Sequence, residues 1–166
     1  MSTVNIALID PAYPHNVGQT VRIASNFGVD KLLMTGTRVK LVGQGKKYRL
    51  PREERYRDYM PITPTERPFD ESPGLVPVCI EIVPNTEDLI FFEHPENAVY
   101  VFGPEDGEVP PGIRSKCHRF VQIPGLHCFN LATAVGIVLY DRYRQQVLTG
   151  EVAYEDRLSC VPRFGT

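Results

Sequence analysis

The sequence predicts an α/β fold in which a mostly parallel sheet is flanked by helices. Three observations lead there. Four of its five strand-like segments are continuous apolar runs rather than alternating patterns, as strands covered on both faces require. Its first three elements read strand–helix–strand with short connections, and a right-handed crossover to a parallel partner is the default geometry for such a unit. A long helical pattern then follows the last strand. At 166 residues the chain fits one domain over residues 1–150, with a weakly patterned tail over 151–166.

The first strand is expected over residues 3–9, "TVNIALI", bounded by the turn-rich "DPAYP". A helix follows over 15–28, where Val17, Val21, Ala24 and Phe27 recur at spacings of three and four and Gly28 supplies the stop. Residues 30–36 give the second strand. Gly43, Gly45 and Pro51 make the next stretch a loop, with a short helix expected in "PREERYRDY". Four prolines between 61 and 74 predict irregular chain. Strands follow over 75–83, weakened at its start by Pro77, then over 98–103 and 119–124, the last preceded by a helical turn near 112–117. The final helix spans 130–147. Asn130 is its expected N-cap, Leu131, Val135, Val138 and Leu139 its apolar face, and Ala132, Ala134 and Gly136 a small-residue surface permitting close approach of another backbone.

Composition narrows the function classes. Apolar residues make up 42% and charged residues 23%, as in ordinary globular proteins. No stretch approaches the roughly 20 apolar residues of a membrane span. The start "MSTVNIALID" has no charged segment or small-residue cleavage site, so no secretory leader is expected. Cys79, Cys117, Cys128 and Cys160 are scattered, without metal-ligand spacing to one another or to the four histidines. Reduced thiols, a cytoplasmic location and no metal are expected. Net charge is −2, yet residues 31–57 hold nine of the eighteen Lys and Arg against two acids. Such a run is either a solvated loop or a phosphate-binding surface. Arg38, Lys40, Lys46, Lys47, Arg49 and Arg52 are the candidate nucleic-acid contacts, with Tyr48, Tyr56 and Tyr59 placed to stack on unpaired bases.

Three polar loops follow strands, where ligands gather in open α/β sheets. The first opens a helix with Asn16, Gly18 and then Arg22. The second, "FGPEDGEVP", places Glu105 after a Gly-Pro turn. The third, "IPGLHCFN", sets His127 beside Cys128 and invites a thiol-hydrolase reading. Adjacent side chains on an extended loop point apart, however, and nucleophile and base usually meet from distant segments.

Taken together, the loops resemble the three motifs of the SPOUT methyltransferases, in their SpoU/TrmH branch. Motif one, N-x-G-x-x-x-R, is Asn16 to Arg22. Motif two, a strand ending in G-x-E, is Gly103 and Glu105. Motif three is Ile123-Pro124, then Cys128-Phe129-Asn130 and the helix through "YDRYRQ", with Cys128 where the family usually has serine. The resemblance spans residues 4–147. It implies a C-terminal deep trefoil knot, a homodimer, and S-adenosylmethionine bound by the knot loops. It implies methyl transfer to a ribose 2′-hydroxyl, of tRNA by analogy with minimal stand-alone members, which include wobble-nucleotide enzymes, with rRNA as the alternative. A non-catalytic RNA-binding homologue is the rival of another class. The matching catalytic residues are Arg22, Asn16, Glu105 and Asn130. Those matching the cofactor pocket are Ile80, Glu81, Gly103, Ile123, Cys128 and Leu131.

Overall fold

A computed structural model describes residues 2–40 and 60–154. Seven strands form one sheet: β1 (Val4–Leu8), β2 (Lys31–Met34), β3 (Ile62–Pro64), β4 (Val76–Ile80), β5 (Glu87–Asp88), β6 (Ala98–Phe102) and β7 (Arg119–Gln122), in the order β3-β2-β1-β6-β4-β7-β5. Every pairing is parallel. All the carboxyl ends therefore lie along one edge, and the loops after β1, β6, β4 and β7 are neighbours there.

The continuous apolar runs serve two cores. Ile6, Leu8, Leu32, Val78, Tyr100 and Val121 face one side, with Val17, Val21 and Ala24 of α1 (Pro14–Phe27) and Val135, Val138 and Leu139 of the C-terminal helix packed on them. Ala7, Ile9, Leu33, Cys79, Val99 and Val101 face the other side, closed by Val109, Cys117, Phe69 and Phe120. One residue's shift along a strand exchanges the two sets, so each strand must be apolar throughout.

Pro14 starts α1 with its φ already set, and Gly28 ends it at φ 66°, donating its N–H to the Ala24 carbonyl. After the short helix α2 (Pro111–Arg114), α3 (Leu131–Leu148) begins at Asn130, whose Oδ1 accepts from the Ala132 and Thr133 amides at 3.0 and 3.3 Å. What meets Gly136 is not a second backbone but the Ile23 side chain, 3.7 Å from where a Cβ would stand.

Two expectations need correction. Residues 61–74 are not wholly irregular: Ile62–Pro64 adds β3 to β2, and a proline is tolerated because this is the sheet edge. The strand expected over 75–83 stops at Ile80, and Ile82 is 69% exposed rather than buried. The two-residue β5 and the single 3-10 turn Leu89–Phe91 have no sequence signature at all. The helix expected in "PREERYRDY" lies outside the described residues.

Candidate active site

Between the loops at the carboxyl edge lies a cleft of about 680 Å³. The loop after β1 contributes Tyr13, His15 and Asn16. The end of β4 contributes Ile80 to Ile82, the loop after β6 Gly103 to Glu105, and the segment after β7 Ile123 and Gly125 to Leu131.

One carboxylate joins two of these walls, and Asn16 carries the tie to a third. Glu105 Oε2 accepts from the Ala12 amide at 2.7 Å, and Oε1 accepts from Asn16 Nδ2 at 2.7 Å and the Tyr13 amide at 3.4 Å. Asn16 is 2% exposed, and its Oδ1 accepts from Asn130 Nδ2 at 2.9 Å. Asn130 in turn caps α3. The relay Glu105–Asn16–Asn130 thus crosses all three loops and ends on a helix N-terminus. Its polarity fixes each amide: Asn16 must present its nitrogen to Glu105 and its oxygen to Asn130. Partial burial acts to raise the Glu105 carboxyl, but the bonds from Ala12, Asn16 and Tyr13 outweigh it and hold the group below the usual carboxylate range.

Ile80, Glu81, Gly103, Ile123, Cys128 and Leu131 all line the cleft. Glu81 turns its carboxylate to the backbone, with Oε2 accepting from the Val109 amide at 3.0 Å and Oε1 from the Ile82 amide at 3.2 Å. It braces the β6 loop from the β4 side. Gly103 is pressed against that same brace: a Cβ there would stand 3.1 Å from Val109 Cγ2 and 3.2 Å from its amide nitrogen. Cys128 and His127 are both exposed, and no hydrogen bond links them.

Arg22 is exposed on α1 and does not line the cleft of its own chain. Six residues after Asn16 it has rotated by about 240°, away from the Asn16 face. Arg38 is exposed and is engaged by two acids. Its Nη1 and Nη2 lie 2.7 and 3.1 Å from the two Asp106 carboxylate oxygens, its Nε is 3.0 Å from Asp10 Oδ2, and Nη2 also donates to the Asp10 carbonyl. It clips the β1 loop to the β6 loop beside Glu105. Lys40 is exposed, while Lys46, Lys47, Arg49 and Arg52 lie outside the described residues, as do Tyr48, Tyr56 and Tyr59.

Sequence reasoning did not single out Tyr13 and His15 as cleft residues, nor the buried group behind the sheet edge. There His94 Nδ1 meets Tyr100 Oη at 2.6 Å and Nε2 meets Asp141 Oδ2 at 3.1 Å. Arg142, 4% exposed, donates to Tyr100 Oη at 3.3 Å and to the Pro95 and Glu96 carbonyls at 2.5 Å each. The "DRYRQ" run carries a signal for it, since Asp141, Arg142 and Gln145 are polar at positions facing the sheet. Among the described residues no three His, Cys, Asp or Glu side chains converge as a metal site, and no helix is long and apolar enough to cross a membrane.

The chain resembles known proteins over nearly all of this architecture. It is 26% identical over 162 residues to the tRNA (cytidine-2′-O-)-methyltransferase TrmJ of Methanocaldococcus jannaschii, covering 87% of this chain and 69% of that one. A solved structure concerned with 2-OH methylation of C/U34 on tRNA superposes with a TM-score of 0.72 at 24% identity, over 90% of this chain and 98% of that one. The SpoU methyltransferase AviRb from Streptomyces viridochromogenes, in complex with AdoMet, gives 0.70 at 19% identity over 89% of this chain and 62% of its own. The model of the SpoU rRNA Methylase family matches residues 3–140, and with all three motif loops inside that match, the chain belongs to this family.

Proposed function

We propose that this enzyme transfers a methyl group from S-adenosylmethionine to a ribose 2′-hydroxyl of tRNA in the cytoplasm. The observation that carries the reading is the Glu105–Asn16–Asn130 relay, which sets three loops of a methyltransferase-family chain around one cleft. The 26% identity to an archaeal tRNA (cytidine-2′-O-)-methyltransferase supports tRNA, and the C/U34 structure is in keeping with the wobble nucleotide.

The cleft fits the cofactor. Ile80, Ile123 and Leu131 offer an apolar wall, backbone from Gly103 to Glu105 and from Ile123 to Cys128 offers polar groups, and the volume suits a ligand of this size. Leu126, 96% exposed, and Ile82 flank the mouth as apolar side chains that a flat ring would cover. Bound there, S-adenosylmethionine would supply a methyl group already activated by its sulfonium. The protein's part is alignment: the acceptor hydroxyl must lie in line with the methyl–sulfur bond as it loses its proton. Asn16 and Asn130, locked by their mutual bond and by Glu105, present fixed polar atoms at the cleft floor. Arg22 would bind the neighbouring phosphate and stabilise charge developing on the ribose oxygen, and with a pKa above ~12 it serves as an electrostatic clamp rather than a free base.

Because Arg22 lies outside its own chain's cleft, this role belongs to a homodimer in which a second copy supplies it. A groove lined by Leu89, Ile90, Phe129, Ile137 and Tyr140 offers an apolar face on α3 for that contact. The same reading includes the C-terminal knot: α3 lies beneath segment 92–96, whose carbonyls accept from Arg142 and Gln145.

Mapping ribose methylation in RNA from cells with and without the gene tests substrate and position together, and an unchanged map overturns the reading. Calorimetry with S-adenosylmethionine tests the cofactor; absence of binding at millimolar ligand would leave an RNA-binding homologue. Mixing inactive Arg22→Ala and Asn130→Ala chains tests the shared site, since a mixed dimer regains one intact cleft. Charge reversal at Lys46, Lys47 and Arg49 is expected to weaken RNA binding and flatten its salt dependence.

A further inference from the structure

The catalytic cleft has a feature that neither cofactor binding nor the relay uses. Tyr13 and His15, both exposed, stand at its mouth with ring centroids 5.7 Å apart and planes 30° from parallel. Tyr13 is 50% exposed, so a face of its ring is open to a ligand in the cleft. It is the N-cap residue of α1, yet its side chain makes no capping bond. Its backbone is nonetheless tightly placed. Its amide donates to Glu105 Oε1, its carbonyl accepts from the Asn16 amide at 3.1 Å, and Pro14 follows with fixed φ. The ring is therefore mounted, three residues before Asn16, on the same carboxylate that anchors Asn16, and is backed by His15.

We propose that the Tyr13 ring, supported by His15, is the stacking platform for an unpaired nucleobase of the RNA substrate, the base of the nucleotide whose ribose enters the cleft. This rests on the ribose-methylation reading and adds a base-binding subsite to it. The base stacks on the outer face of Tyr13 rather than between the two rings, because insertion would need about twice the 3.4 Å stacking step, wider than the separation found. Stacking on a π face tolerates any base, so the platform gives grip without fixing identity. A ribose gripped through its base has lost most of its rotational freedom before its hydroxyl meets Asn16 and Asn130. No bond is made or broken by the platform, and its contribution lies in substrate affinity.

The chain contains no tryptophan, so the Tyr13→Trp variant carries a single tryptophan at the platform. Its fluorescence is expected to fall as unmodified total tRNA is added, and to fall with nucleoside monophosphates at millimolar concentration but not with ribose 5-phosphate. Tyr13→Phe should leave the KM for tRNA near the wild-type value. Tyr13→Leu, similar in bulk without a ring, should raise it about tenfold or more with kcat little changed and S-adenosylmethionine affinity unaltered. Unchanged tryptophan fluorescence at saturating tRNA, equal quenching by ribose 5-phosphate, or a Tyr13→Leu enzyme with wild-type KM would each overturn the platform. The two readings separate cleanly. Quenching without methyl transfer by the wild type retains the platform and removes ribose methylation, whereas methyl transfer with a silent tryptophan does the reverse.

Discussion

Glu105 accepts three bonds from two successive backbone amides and one side-chain amide, and all three donors belong to residues 12–16. Glu105→Gln keeps the shape but turns an NH2 toward one of those donors, so the loop loses a bond and gains a clash of like polarity. Because the folded pKa is depressed, the ionised carboxyl adds stability above its unfolded pKa of about 4.3 and loses it as pH falls through the folded value. The stability gap between wild type and Glu105→Gln, followed by denaturant titration, is expected to be widest at neutral pH and to close toward the acid end. Asn130→Ala removes the α3 cap and strands a buried acceptor on Asn16, which should cost about 2 kcal/mol and abolish methyl transfer. Cys128 carries no such load. It is exposed and unbonded to His127, so Cys128→Ser is expected to keep activity, measured by methyl incorporation, and complete loss would revive the thiol reading.

Among elements, the loop after β6 is held from both sides, by Glu105 toward α1 and by the Glu81–Val109 bond toward β4. Gly103→Ala would push its Cβ into Val109, whose amide is part of the brace, so the loop must shift. Weaker S-adenosylmethionine binding by calorimetry and a stability loss of roughly 1–3 kcal/mol are expected. The central strands and both long helices were legible in the sequence because burial on two faces forces unbroken apolar runs and because Gly28 and Asn130 are strong boundary residues. The edge strands were not, since two or three residues paired on one side need no pattern. The motif loops were legible only through resemblance. Spacing put Asn16 and Arg22 in one motif, but the turn of α1 points them apart, which a one-dimensional motif does not reveal. Nor could charge counting show that Arg38 is engaged by Asp10 and Asp106, because those partners lie 28 and 68 residues away.

For the molecule as a whole, the His94 group fastens α3 to the chain entering β6. Burial outweighs the Asp141 bond and pulls the imidazole down to about 4, so the folded protein holds it neutral. Unfolded histidine protonates near 6.5, so this contribution to stability is full above that pH, declines as pH falls and is gone below about 4. Melting temperature against pH should therefore slope more gently in His94→Gln than in wild type across this window, from a lower starting value. Tyr100, pushed up to about 12 chiefly by burial, stays neutral throughout. The relay has one more consequence. Its bonds join residues 89 and 114 positions apart, so the cleft cannot be assembled from any local part of the chain. Folding must close these two long loops before a ligand finds the cleft, and partly folded species that lack them are blind to it. Cofactor then draws on the native state alone, and each tenfold excess over its Kd deepens the whole stability well by about 1.4 kcal/mol.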